Sequence, residues 1–101
     1  MEVKERIDKI LNDNAVVLFM KGTANFPMCG FSGRAVGILQ DLGVEFHSVN
    51  VLEDDEIREG IKSYGNWPTI PQLYIKKQLV GGSDIMMEMY QAGELQEMLN
   101  P

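Results

Sequence analysis

The sequence predicts a small mixed α/β fold, a four-stranded mixed sheet flanked by helices, and three observations point there. A strand–helix–strand unit opens the chain's middle, a closely spaced strand pair follows, and amphipathic helical stripes lie between and around them. The length of 101 residues suits one compact domain spanning 1–101.

Val3, Ile7, Ile10 and Leu11 recur at three- and four-residue spacing among charges, a short amphipathic helix ended by Asn12-Asp13-Asn14. Val16 to Met20 is an unbroken apolar run of the length of a strand buried on both faces, the usual state of a central parallel strand. Lys21 to Pro27 is a polar loop. After Pro27 the stripe Ala35, Val36, Leu39 and Leu42 marks a second helix, with Gly43 as its C-terminal stop.

Val44, Phe46 and Val49 suggest a second strand, parallel to the first through a right-handed crossover. The acids Glu53 to Glu56 suit the first turn of a helix carrying Ile57 and Ile61, where they complement exposed amides. Gln72 to Ile75 is a strand, Lys76-Lys77-Gln78 a turn, and Leu79-Val80 the returning strand of a hairpin. Gly81-Gly82 then leads into a helix holding Ile85, Met86, Met89 and Tyr90, capped by Ser83 or Asp84. Gly93 interrupts the pattern before Leu95, Met98 and Leu99.

The formal net charge is −6, from 15 acidic and 9 basic side chains. With no basic cluster, that balance disfavours nucleic acid as a partner. No apolar run approaches the ~18 residues of a membrane-spanning helix. The N-terminal Met-Glu-Val-Lys-Glu-Arg lacks secretory or transit character. A cytoplasmic bacterial protein, or an organelle-matrix protein whose presequence has been removed, fits these features.

The chain has one cysteine, which excludes an intramolecular disulfide and a multi-cysteine zinc site within one chain. Cys29 lies between Pro27 and the second helix, where unpaired amides and the positive helix end favour the thiolate. Lys21, at the end of the first strand, adds a positive charge. A lone cysteine is also commonly a small buried apolar residue, but the neighbouring proline, glycine and serine favour an exposed loop-to-helix junction. Ser32 stands where a Cys-x-x-Cys motif has its second sulfur. A hydroxyl can hydrogen-bond a thiolate but cannot resolve a mixed disulfide, so redox chemistry at Cys29 requires an external thiol.

Cys29-Gly30-Phe31-Ser32 resembles the signature of monothiol glutaredoxins of the CGFS class. Lys21-Gly22-Thr23 before it, Trp67-Pro68-Thr69-Ile70-Pro71-Gln72-Leu73-Tyr74 after it, and Gly81-Gly82-Ser83-Asp84 extend the resemblance over most of the chain. It implies a thioredoxin fold of glutaredoxin type that binds glutathione beside Cys29. It further implies a 2Fe-2S cluster shared by a homodimer, with one cysteine per subunit and two glutathione thiolates, delivered to iron-sulfur acceptor apoproteins. BolA-like proteins are implied as partners. A second activity stays open: a glutathione-dependent monothiol oxidoreductase acting on protein–glutathione mixed disulfides.

The resemblance also assigns site residues. Lys21 and Arg58 would meet glutathione carboxylates, with Lys62, four residues after Arg58 on the same helix face, as a helper. Pro71 is expected in the cis form, leaving the Ile70 backbone free to pair with the cysteinyl part of glutathione, as an added strand would. Ser83 and Asp84 would hold the γ-glutamyl end, Asp84 at its ammonium. Many relatives carry a second cysteine where this chain has Ser83. Phe31 is expected to be exposed and to shield a cluster, Trp67 half-exposed, His47 either solvent-facing or satisfied by a partner, and Met86, Met87 and Met89 to serve packing. Ala24, where a proline is frequent, is expected to loosen the loop carrying Cys29, and Met28 also departs from common usage.

Overall fold

The computed structural model describes residues 1–100. In order it contains α1 (Val3–Asp13), β1 (Val16–Met20), α2 (Gly30–Asp41), β2 (His47–Asn50), a 3-10 turn (Val51–Glu53), α3 (Asp55–Gly65), β3 (Gln72–Ile75), β4 (Gln78–Gly81), α4 (Ser83–Ala92) and α5 (Glu94–Leu99). The strands form one mixed sheet in the order β2-β1-β3-β4. β1 runs parallel to β2 and antiparallel to β3, and β3 pairs antiparallel with β4.

All five residues of β1 are buried, because a strand flanked on both edges and covered on both faces has no solvent side. Its alternation splits the core in two. Val16, Leu18 and Met20 face one layer with Leu39 of α2, Met86 of α4 and Leu95 of α5. Val17 and Phe19 face the other with Ile7 and Leu11 of α1 and Ile57 and Ile61 of α3.

Several boundaries differ from the sequence reading. The second strand begins at His47; Val44 and Phe46 precede it and pack, partly buried, against the first layer. An apolar residue that reaches the core from an incoming loop is hard to distinguish from a strand residue by pattern alone. Glu53 belongs to the 3-10 turn, and α3 starts after Asp54, whose carboxylate accepts from the Ile57 amide at 3.1 Å. Gln78 is in β4, so the hairpin turns on Lys76 and Lys77 alone, both at positive φ. That is the pairing a two-residue hairpin of right-handed twist demands. Neither Ser83 nor Asp84 caps α4: the N-cap is Gly82, with no side-chain capping bond.

Candidate functional site

Cys29 is the N-cap residue of α2, so the strand–loop–helix passage out of β1 sets where the sulfur sits. The loop between is fastened at both ends. The Met28 amide donates to the Lys21 carbonyl at 2.9 Å, and Thr23 and Phe26 exchange backbone bonds at 3.1 and 3.2 Å. Gly22, at φ +92°, makes this possible, since a Cβ there would lie 2.5 Å from the Phe26 carbonyl oxygen. Asn50 at the end of β2 holds the loop from below, its Oδ1 accepting from the Gly22 and Leu52 amides at 2.9 and 3.0 Å. None of these bonds needs a ring at position 24, and Ala24 packs against the core.

The thiol is half-buried and makes no side-chain capping hydrogen bond. Its pKa is nonetheless pulled below the ordinary value. The Ser32 amide is the leading cause; burial opposes it, and the Phe31 amide, the Lys21 charge and the Ser32 hydroxyl assist. Ser32 itself is fully buried, and its Oγ accepts from the Lys21 amide at 3.1 Å. The serine in place of a second sulfur thus ties the end of β1 to the first turn of α2.

A groove of about 530 Å³ opens beside the thiol. It brings together every site residue expected from the sequence: Lys21, Cys29, Arg58, Ile70, Ser83 and Asp84 all line it. Lys62 lines it too, while its ammonium pairs with Glu59 at 3.0 Å. Among the described residues no carboxylate pairs with Arg58. The Ile70–Pro71 bond is cis, as the resemblance implied. Trp67 lies half-buried on the groove wall, its indole N–H without a partner among the described residues. Gly82 allows α4 to approach this wall, since a Cβ there would lie 3.2 Å from the Pro71 carbonyl oxygen. His47 is exposed, Met86 is fully buried, and Met87 and Met89 pack against the core, as expected.

Two site-building residues escaped the sequence reading. Gln72 is fully buried, donating from Nε2 to the carbonyls of Trp67 at 3.0 Å and Thr69 at 3.2 Å while its Oε1 accepts from the Tyr74 hydroxyl at 3.0 Å. It pins the segment that carries Trp67 and Ile70. Arg34 of α2 reaches the start of α4, where its Nε donates to Ser83 Oγ at 2.7 Å and its terminal nitrogen pairs with Asp84. Around the sulfur the surface is apolar: Phe26, Met28 and Phe31 are 77, 70 and 59% exposed. Phe31 follows the cysteine on the first turn of α2 and stays in solvent, with the Arg34 guanidinium 5.9 Å from its ring centre.

The glutaredoxin family model matches residues 16–80, which run from β1 into β4 and include the cysteine and most of the groove. The chain belongs to the glutaredoxin family. A ycf64-like monothiol glutaredoxin of Synechocystis sp., described as uncharacterised, is 59% identical over 98 residues, covering 97% of this chain and 92% of the relative. With Cys29-Gly30-Phe31-Ser32 and no other cysteine, this glutaredoxin is of the monothiol CGFS class. The solution structure of reduced apo GrxS14 from poplar is 53% identical with a TM-score of 0.84, over 94% of this chain and 87% of the other. A buckwheat glutaredoxin solved as a glutathione complex has a TM-score of 0.85 over 96% of this chain and 86% of the other; at 24% identity it establishes the shared thioredoxin fold. Among the described residues no helix is long and apolar enough to cross a membrane.

Proposed function

We propose that this monothiol glutaredoxin binds glutathione in the groove beside Cys29 and, as a pair of subunits, assembles, carries and transfers a 2Fe-2S cluster to acceptor apoproteins in iron-sulfur maturation. The observation that carries the reading is a single half-exposed, thiolate-favouring sulfur at a groove whose cations are placed for an anionic tripeptide. Lys21 and Arg58 offer charges to carboxylates, and the Ile70 backbone offers an edge to a peptide backbone. At the start of α4, Ser83, Asp84 and unpaired helix amides offer groups of both signs to the γ-glutamyl end.

The donor set suits a shared cargo. A 2Fe-2S cluster takes four terminal ligands, ordinarily thiolates. Among the described residues no group of three His, Cys, Asp or Glu side chains is gathered to hold a metal. One sulfur from each of two subunits and one from each of two glutathiones completes the four. The exposed Phe31 and Met28 beside Cys29 provide apolar cover at such an interface. This reading takes residues 1–101 as one glutaredoxin domain working in a reducing compartment, a bacterial cytoplasm or an organelle matrix. BolA-like proteins and acceptor apoproteins are its further partners.

A second reading rests on the lowered Cys29 pKa, which also suits thiol exchange. The Cys29 thiolate attacks the glutathione sulfur of a protein–glutathione mixed disulfide and expels the protein thiolate. A glutathione thiolate then attacks the new mixed disulfide, releasing Cys29 thiolate and oxidised glutathione.

Anaerobic reconstitution with iron, sulfide and glutathione distinguishes the two. The first reading predicts a coloured species of doubled mass that forms only with glutathione and is lost in Cys29→Ser. A colourless monomer that reduces mixed disulfides efficiently would overturn it in favour of the second.

A further inference from the structure

We propose that Arg34 is a positioning residue that sets which group donates and which accepts at the start of α4, and thereby fixes selectivity for a γ-glutamyl end bearing both an ammonium and a carboxylate. This rests on the glutathione reading above and extends it to a residue outside the groove. Ser83 and Asp84 line the groove and Arg34 does not; it reaches them from α2, behind the wall.

The chemistry follows from what Arg34 occupies. A serine hydroxyl has one proton to give and two lone pairs. Arg34 Nε–H takes a lone pair of Ser83 Oγ at 2.7 Å, and among the described residues no acceptor takes the Ser83 proton. Ser83 keeps its proton and one lone pair, and with the guanidinium already against Oγ it is biased toward giving that proton to a carboxylate over accepting from a second cation. On Asp84, the guanidinium engages Oδ1 and leaves Oδ2 as an acceptor for an ammonium. One arginine fork thus assigns opposite roles to adjacent groups.

The effect of holding Asp84 outweighs the effect of neutralising it. Asp84 is 84% exposed, so water already screens its charge, whereas an untethered carboxylate must be ordered when ligand arrives. The tether also links α2, which begins just after the sulfur, to the start of α4. α2 and α4 already share one core layer, and the tether adds a surface link at the groove end of that packing.

The test measures affinity of the reduced protein for two probes, S-methylglutathione and its analogue in which the γ-glutamyl ammonium is replaced by hydrogen. For Arg34→Leu the expected result is S-methylglutathione binding weakened about three- to tenfold, with a smaller loss for the analogue, so that preference for the ammonium falls. Arg34→Lys, which keeps the charge without the fork, should recover only part of that preference. Tighter binding of S-methylglutathione by Arg34→Leu would show that Arg34 competes for Asp84 and would overturn the proposal. Equal weakening of both probes, or none, would overturn it as well while leaving the glutathione reading standing. No binding of S-methylglutathione by the unmodified protein would remove the glutathione reading together with this one.

Discussion

At Cys29 three kinds of group act on one sulfur: backbone amides of the first turn of α2, the ammonium of Lys21 and the hydroxyl of Ser32. Their ranking matters, because the amides belong to the helix and survive most substitutions, whereas the lysine charge is removable. Alkylation of Cys29 by iodoacetamide should therefore show a pH midpoint below that of free cysteine measured alongside. In Lys21→Gln the midpoint should rise by about a fraction of a pH unit while remaining below free cysteine. A midpoint equal to free cysteine in the unmodified protein would contradict the amide contribution. The sequence announced this residue well, since the leading favourable influence on it, the Ser32 amide, and the Phe31 amide beside it lie within three positions. Arg34 was silent for the opposite reason: its partner Ser83 lies 49 positions away, and nothing in an arginine on a helix indicates which strand or helix end its side chain will reach.

At the scale of elements, the start of α3 depends on Asp54. Its carboxylate accepts from the Ile57 amide and pairs with Arg6 of α1, so one side chain both caps α3 and ties it to α1. Arg6 foremost, then the Ile57 amide, holds the Asp54 carboxyl below its ordinary value of 3.8. A carboxyl depressed in the folded state adds stability that is fully present above pH 3.8 and is lost as pH falls through the lowered native value. Asp54→Ala should cost about 1 kcal/mol in denaturant unfolding at neutral pH, and Asp54→Asn less, because asparagine still caps. The gap between Asp54→Asn and the unmodified protein should close in acid, and a gap independent of pH would count against the ion pair. The order of helices and strands was legible from apolar spacing and turn residues. The start of β2 was not, because Val44 and Phe46 bury apolar surface without pairing. Nor was the cap of α4, because Ser83 faces Arg34 instead of its own helix amides.

For the whole molecule, β1 contributes alternate residues to both core layers, so neither layer can melt without disturbing the strand that serves the other. Leu39→Ala in one layer and Ile61→Ala in the other should each cost about 2–5 kcal/mol. Each variant should unfold in a single transition, with Trp67 fluorescence and far-ultraviolet circular dichroism changing together. Separate midpoints for the two signals would mean that the layers are independent. The general architecture could be read from the sequence because a five-residue apolar strand permits few arrangements. The groove's lining was legible through the resemblance, but the support behind it was not, because Gln72 looks like an ordinary strand residue until its amide is seen holding the Trp67 and Thr69 carbonyls.

Cys29 has no second thiol within its own chain. A dithiol protein can change oxidation state by closing a ring and keep almost the same weight. Here there is nothing to close upon, so each oxidation of the sulfur attaches something: an oxygen, a small thiol or another polypeptide. The redox history of this molecule is therefore recorded in its mass, and an intact-mass spectrum taken straight from the cell would show which partner last reached the sulfur.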